Sequence, residues 1–391
     1  MKVLILSTSF PLDDSSPSGI FIARLARHLA DHHEVTVLTP ADCHLRQPYL
    51  QGKIRIIPFR YAPLRWQVLA HSPGGIPVAL KCNPLLYLLL PMLLIGMFAS
   101  CLCYARSMEI LHANWAICGI VLGFAGKLFG VPVVTTLRGE DITRASSRKL
   151  DRLLLKLCVR LSDRIIGVSQ AIIDQVRQIV PVTEDQFCLI ENGVDETLLS
   201  VQHEWLGSEG HMRLITIGSL IPRKGIQIIL KGLKACGTSS LLRLTIVGEG
   251  VEEVTLRHQV RDYGLADKVT FLGSVTPELI PAILGQHDVF VLASYSEGRP
   301  NVVLEAMAAG MPVIASAIPG VDELVTDGRT GLLFEAGNVT ALTSCIEALR
   351  QAPQLVEIMG GNGRRHILER GLRWQTTADK YALAYQAIRR N

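Results

Sequence analysis

The chain has no cysteines at metal-ligand spacing, no strong excess of one charge sign and no N-terminal apolar run long enough for a secretion signal. Each absence excludes something. Nine Cys in 391 residues is an odd count. The one close pair, Cys101 and Cys103, falls inside an apolar run, so reduced thiols in a cytosolic protein are expected. A formal net charge of +4 does not suit a nucleic-acid binder. Charged residues make up only 19% of the chain against 49% hydrophobic, which excludes disorder. The opening MKVLILSTSF is too short for a signal peptide and reads as a first core strand.

A chain of this length is too long for one compact core, so two domains are expected. The basic excess lies in the first half: 20 Lys/Arg stand against 16 Asp/Glu in residues 1–200, and 19 against 19 in the rest. Apolar strand patterns occur at Lys2–Ser7, Glu34–Thr39, Lys53–Phe59, Ile110–Ala113 and Pro132–Leu137. They alternate with helical patterns such as GIFIARLARHLADHH, which follows the turn-rich loop SFPLDDSSPSG and opens at Gly19. RIIGVSQ and FCLIENGVD read as the last strands of the first domain. VQHEWLGSEGHM, near residues 198–211, has no clear period and reads as a linker. The alternation restarts at Arg213–Gly218 and runs through LTIVGEG, VTFLGSV, DVFVLAS and PVIAS. Two doubly wound α/β domains follow from this order.

The segment from Cys82 to Ala105 carries no charge. As a helix it would be roughly 35 Å long at ~1.5 Å per residue, enough for a bilayer core of ~30 Å. The strand patterns on either side belong to one sheet, however, and a single crossing would divide that sheet. Pro91 is expected to bend or break the helix. Two compatible readings stay open. The helix packs against the sheet, or an apolar face dips into one leaflet while Arg60, Arg65, Lys81 and Arg106 meet anionic headgroups.

The stretch SYSEGRPNVVLEAMAAGMP, residues 294–312, follows the buried strand Asp288–Ser294. Ligands of open α/β sheets sit at such strand ends. Pro300 suits a first helical turn, which would leave the N–H groups of Asn301, Val302 and Val303 facing an anion. Glu305 can accept two hydrogen bonds from a vicinal diol such as a ribose, and Glu297 lies in the loop. Two Glu eight positions apart are ordinary by themselves. Upstream, GSLIPRKG places Arg223 and Lys224 at another strand-to-helix turn; most Arg-Lys pairs are ordinary surface charges, but this position, two units before the paired Glu, favours a pyrophosphate clamp.

Taken together, SYSEGRPNVVLEAMAAGMPVIAS, GLLFEAGN and GSLIPRKG resemble retaining glycosyltransferases of family 4, which have the GT-B fold. The resemblance implies two Rossmann-like domains facing across a cleft. An acceptor domain would span residues 1–200 and a nucleotide-sugar domain residues 201–375, with a final helix, 376–391, crossing back. It implies donor contacts from Gly19, Ser219, Arg223, Lys224, Glu297, Gly298, Asn301, Val302 and Glu305. Ser219 stands where many members carry Arg, so one cation is absent or comes from elsewhere. In TLRGEDI, Arg138 stands where many have His. Arginine cannot act as a base, so Arg138 is expected to hold the donor sugar or a phosphate, with Glu140 and Asp141 shaping the acceptor side. Glu297, Arg138 and Asp141 are the candidate catalytic set. His112 and Asn114 either line the cleft or are structural.

The implied activity is a metal-independent hexosyltransferase with no cofactor. It would use a UDP- or GDP-sugar donor and a lipid-linked glycan acceptor, in surface polysaccharide biosynthesis at the inner face of the cell membrane. The competing readings are a nucleotide-sugar-binding subunit without turnover, a GT-B sugar-nucleotide epimerase and a membrane scaffold.

Overall fold

The computed structural model describes residues 1–11, 19–42, 47–71, 75–181, 183–203, 212–237 and 242–389. The expected loop over 12–18 and the linker residues 204–211 lie outside these described residues. The chain divides into two compact units. Unit 1 is Met1–Asn192 with Trp374–Asn391, and unit 2 is Gly193–Arg373.

Unit 1 is built on eight strands: β1 (Lys2–Leu6), β2 (Glu34–Pro40), β3 (Tyr49–Gln51), β4 (Ile54–Phe59), β5 (Ile110–Asn114), β6 (Val133–Leu137), β7 (Arg164–Gly167) and β8 (Phe187–Leu189). Their order is β3-β4-β2-β1-β5-β6-β7-β8. All pairs are parallel except the short edge strand β3, which pairs antiparallel with β4 and was not anticipated. The run VLIL in β1 is buried on both faces, as central parallel strands require. Val3 and Ile5 face one layer, which holds the helix Ile20–Leu29 and the last helix, Trp374–Arg389. Leu4 and Leu6 face the other layer, with the helices Leu89–Ala105 and Ala116–Phe129. The last helix seats Trp374, Tyr381 and Tyr385, all buried, in the core of unit 1, which is why the chain's end belongs with its beginning.

The uncharged segment forms a 3₁₀ turn, Pro84–Leu88, and then the α-helix Leu89–Ala105. Pro91 does not interrupt this helix. It lies in the first turn, where its missing N–H has no intrahelical partner to lose. Leu89, Leu93, Met97, Cys101 and Ala105 form a buried stripe, four residues apart, against the sheet. Gly96 lets the helix approach closely, since a Cβ there would lie 2.6 Å from the carbonyl oxygen of Arg60. The flanking strands β4 and β5 join the same sheet, through β2 and β1.

Unit 2 has six parallel strands: β9 (Met212–Ile217), β10 (Leu242–Val247), β11 (Val269–Gly273), β12 (Val289–Leu292), β13 (Val313–Ser316) and β14 (Gly331–Phe334). Their order is β11-β10-β9-β12-β13-β14. The chain steps outward from β9 to β11, then returns to β12 on the other side of β9. The order therefore reverses between β9 and β12, and such a switch point leaves a crevice at the strand carboxyl ends. β14 lies within GLLFEAGN, a stretch not read as a strand from sequence.

Candidate active site

Arg223, Lys224 and Glu297 meet at the switch point of unit 2. After β9 the chain forms the 3₁₀ turn Pro222–Lys224, and after β12 it forms the loop carrying Glu297. Tyr295 N–H donates to the Arg223 carbonyl at 2.9 Å, and Arg223 Nη1 donates to the Ser296 carbonyl at 2.7 Å. These bonds join the two loops. Lys224 Nζ then donates to Glu297 Oε1 at 2.6 Å, Ser294 Oγ donates to the same oxygen at 2.7 Å, and Arg223 Nη1 lies 3.6 Å from Oε2. The Glu297 side chain is only 9% exposed and that of Lys224 17%. Burial opposes the charge on Glu297, but Lys224 and Arg223 outweigh it, helped by the bonds from Lys224 and Ser294. The carboxyl is held below its ordinary range and is ionised at neutral pH. Two cations thus face the Glu297 carboxylate.

Glycines make this approach possible. Gly225 has φ +63°, and a Cβ there would meet the Ala293 carbonyl oxygen at 2.0 Å. At Gly218 a Cβ would make only an ordinary 3.6 Å contact with Lys224 Cε, so its backbone, at φ +155°, rather than space, favours glycine. Gly225→Ala should destabilise unit 2 by more than about 2 kcal/mol, combining left-handed backbone strain with the clash. A thermal melt would measure it, and a melting temperature equal to wild type would refute the account.

The helix Asn301–Ala308 follows the Glu297 loop. Pro300 is its N-cap rather than a first-turn residue, because its carbonyl accepts from Val303 N–H at 3.1 Å. That bond corrects the expectation for Val303, whose N–H is already occupied and cannot face an anion. Asn301 and Val302 begin the helix, and Glu305, 8% exposed, lies one turn further on. Arg299 is buried just before it, with Nη1 3.9 Å from Glu323 Oε2. Gly298 passes close to Gly320, where a Cβ would lie 2.2 Å from the Gly298 carbonyl oxygen. Ser219 follows β9 beside Gly218. All the expected unit 2 residues thus lie on the loops and helix that follow β9 and β12.

Gly19, Arg138 and Asp141 are in unit 1. Gly19, at φ +73°, caps the helix Ile20–Leu29, and a Cβ there would meet the Ser9 carbonyl oxygen at 2.3 Å. Close backbone packing therefore accounts for this glycine. Arg138 donates to Asn114 Oδ1 from Nη2 at 2.8 Å and from Nε at 3.1 Å, reaches Asn192 Oδ1 at 3.4 Å, and lies 4.3 Å above the Phe21 ring. Burial lowers its guanidinium to about 10, so it stays charged at neutral pH.

Asp141 Oδ1 accepts from Ala116 N–H at 3.1 Å, at the start of the helix Ala116–Phe129. Part of the residue is open to solvent, but Oδ2 is shut away from it, and the backbone N–H groups of Ala116 and Arg138 favour the charged form. Burial raises this carboxyl to about 6. Glu140 is exposed. His112 is fully buried, accepting from or donating to Tyr385 Oη at 2.8 Å and Thr136 Oγ1 at 2.9 Å, and burial lowers it to about 3. Of its two readings, the structural one fits this environment. Among the described residues, no three or more His, Cys, Asp or Glu side chains gather as metal ligands would.

Ser294, Phe21 and Asn192 were not anticipated. Ser294 stands three residues before Glu297, at a strand end, and that position is a usable signal. Nothing in the sequence marks Phe21 or Asn192, which reach Arg138 from 117 and 54 residues away.

Comparison with known proteins adds a family to this geometry. A family model described as "Glycosyl transferases group 1" matches residues 202–366, and one described as "Glycosyltransferase Family 4" matches residues 18–198. N-acetyl-alpha-D-glucosaminyl L-malate synthase of Bacillus anthracis is 28% identical over 292 residues, covering 72% of this chain and 74% of the relative. D-inositol 3-phosphate glycosyltransferase of Pseudarthrobacter chlorophenolicus is 28% identical over 305 residues, covering 71% and 70%. Among solved structures, sucrose-phosphate synthase from Thermosynechococcus elongatus superposes with a TM-score of 0.83 at 22% identity, covering 99% of this chain and 98% of that one. Anabaena HepE in complex with UDP-glucose gives 0.76 at 20% identity, covering 99% and 100%. At these identities the structural likeness establishes the fold, and the family models establish the kinship. The chain belongs to the group 1 glycosyltransferases, is similar to family 4, and has the GT-B fold.

Proposed function

We propose that this glycosyltransferase moves a hexose from a nucleoside diphosphate sugar to a lipid-linked glycan, retaining anomeric configuration and using neither metal nor cofactor. The supporting observation is the meeting of Lys224, Arg223 and Glu297 between the ends of β9 and β12, with a helix N-terminus following. Breaking the bond between sugar and phosphate leaves negative charge on the diphosphate and positive charge on the sugar. Lys224, Arg223 and the helix start at Asn301 stabilise the leaving group. Fixed cations take the part a divalent ion plays elsewhere, so turnover should survive a chelator.

Glu297 holds Lys224 in place and offers negative potential to the cationic sugar. Glu305 anchors the ribose through its two oxygens, and Ser219, Gly298 and Val302 present backbone to the donor. In a front-face route the departing phosphate takes the acceptor hydroxyl's proton, and no enzymic base is required. Arg138 serves as a fixed cation for a sugar or phosphate oxygen, and Asp141 shapes the acceptor side. The acceptor places the protein in the cytoplasm at the inner membrane face, in surface polysaccharide synthesis.

A thermal-shift panel of UDP-, GDP- and ADP-sugars tests the donor. A ligand at ~100 times its Kd should add about 2.7 kcal/mol of stability. Uracil and guanine donors head the panel, because Anabaena HepE was solved with UDP-glucose and a Mycolicibacterium smegmatis relative is named GDP-mannose-dependent. No shift with any member would overturn the proposal. Binding without transfer to any acceptor would favour a non-catalytic subunit, and donor isomerisation without acceptor would favour an epimerase.

A further inference from the structure

Among the described residues, nothing covers the outward side of the uncharged helix in unit 1. Leu89, Leu93, Met97, Cys101 and Ala105 face the sheet, as described above. On the other side Leu85 and Leu88 are 74% and 72% exposed, Ile95 is 68% exposed, and Met92 and Phe98 are also exposed. Positions 85, 88, 92 and 95 recur at helical spacing, so they form one stripe. An uncovered apolar stripe on a chain this size marks a binding surface.

The charges around it indicate what it binds. Between Asp42 and Glu109 the sequence carries seven Lys/Arg and no Asp or Glu. Of these, Lys53 is already paired with Asp31 at 3.1 Å. Lys81 and Arg106 flank the helical segment, and both are exposed. Arg60 is exposed, and its carbonyl packs against Gly96 in the middle of the helix. Arg65 and Trp66 are exposed in the loop whose Leu69 packs into the same core cluster as the helix. An apolar stripe rimmed by cations and one amphipathic aromatic, with no acid along 66 residues, is complementary to an anionic bilayer surface.

We propose that this stripe inserts into one leaflet of an anionic membrane, with the helix lying in the interface and the basic side chains on lipid phosphates. The helix does not cross, because its two flanking strands belong to one sheet. The proposal gives the lipid-linked acceptor read above a place of delivery, and to that extent rests on that reading.

Vesicle flotation of the full chain tests it, using phosphatidylcholine vesicles with and without phosphatidylglycerol. Wild type should float with the anionic vesicles, and less so in about 1 M salt, where the screening length falls to about 3 Å. Leu88→Glu/Ile95→Glu should lower the bound fraction at least about tenfold. Lys81→Glu/Arg106→Glu should remove the preference for anionic lipid. Ile95→Trp, which keeps the stripe apolar, should still bind. Failure of the wild type to float, or flotation of the Leu88→Glu/Ile95→Glu protein like wild type, overturns the proposal. So would light scattering showing that the double substitution splits a dimer while vesicle binding persists, since the stripe would then cover a second copy. Donor thermal shifts measured on the same samples separate the two readings. Lost flotation with intact donor binding removes only the membrane surface, and the reverse removes only the transferase reading.

Discussion

Lys224→Ala should lower kcat/KM by about 10²–10³-fold and weaken donor binding, because it removes a fixed cation from the position where charge develops on the leaving diphosphate. Glu297→Gln should lower turnover on a similar scale, since Lys224 and Arg223 lose the carboxylate that holds them. The two residues touch at 2.6 Å, so their effects should not add. Glu297→Gln leaves the largely buried Lys224 without its carboxylate, which costs about 3–5 kcal/mol of stability, while Lys224→Ala costs less because Glu297 keeps Arg223 and Ser294. Lys224→Ala/Glu297→Gln should recover most of that stability and none of the activity. Steady-state kinetics and thermal melts on the same four proteins measure both halves of the cycle. Wild-type turnover in either single variant would show that the site lies elsewhere.

Asp141→Asn should stabilise the protein above about pH 6 and lose that advantage towards pH 4. The Asp141 carboxyl is raised from 3.8 to about 6 in the folded chain. At neutral pH it is ionised in both states, and the folded state bears the cost of burying the charge. At about 1.4 kcal/mol per pH unit that cost approaches 3 kcal/mol. It disappears as falling pH protonates the folded carboxyl first.

His112 acts in the opposite direction. Its folded value is lowered from 6.5 to about 3, so the stability of its neutral form is complete above 6.5 and is lost as pH falls. At pH 5 the loss is about 2 kcal/mol. In wild type the two contributions largely cancel between pH 6 and 4. Asp141→Asn should therefore reveal a steep acid loss, and His112→Gln an acid gain. Melting temperatures across pH 4–8 would show this. Parallel curves for wild type and both variants would contradict the assignment.

The strands were legible because they are buried. VLIL in β1 and VFVL in β12 are continuous apolar runs, which is how parallel strands covered on both faces must read. β3 and β14 were missed because they are short edge strands, half open to solvent, with weaker patterns. Pro300 was placed one position too far into its helix, because sequence signals locate a helix end only to within a residue or two. Pro91 was expected to disrupt a helix that in fact begins only two residues before it, so its missing donor does no harm.

The sequence by itself determined the two alternating α/β halves, the family and the identities of the charged residues after β9 and β12, since periodicity and local motifs are properties of short stretches of chain. Only the tertiary structure decided that Glu297 spends its charge on Lys224, 73 positions away, and that Ser294 completes the pair. It also decided that Arg138 is held by Asn114, Asn192 and Phe21, and that His112 belongs to a core closed by the last helix. Pairings of this kind depend on which strand ends the sheet order makes neighbours, and that order follows from the burial of whole layers rather than from any local pattern.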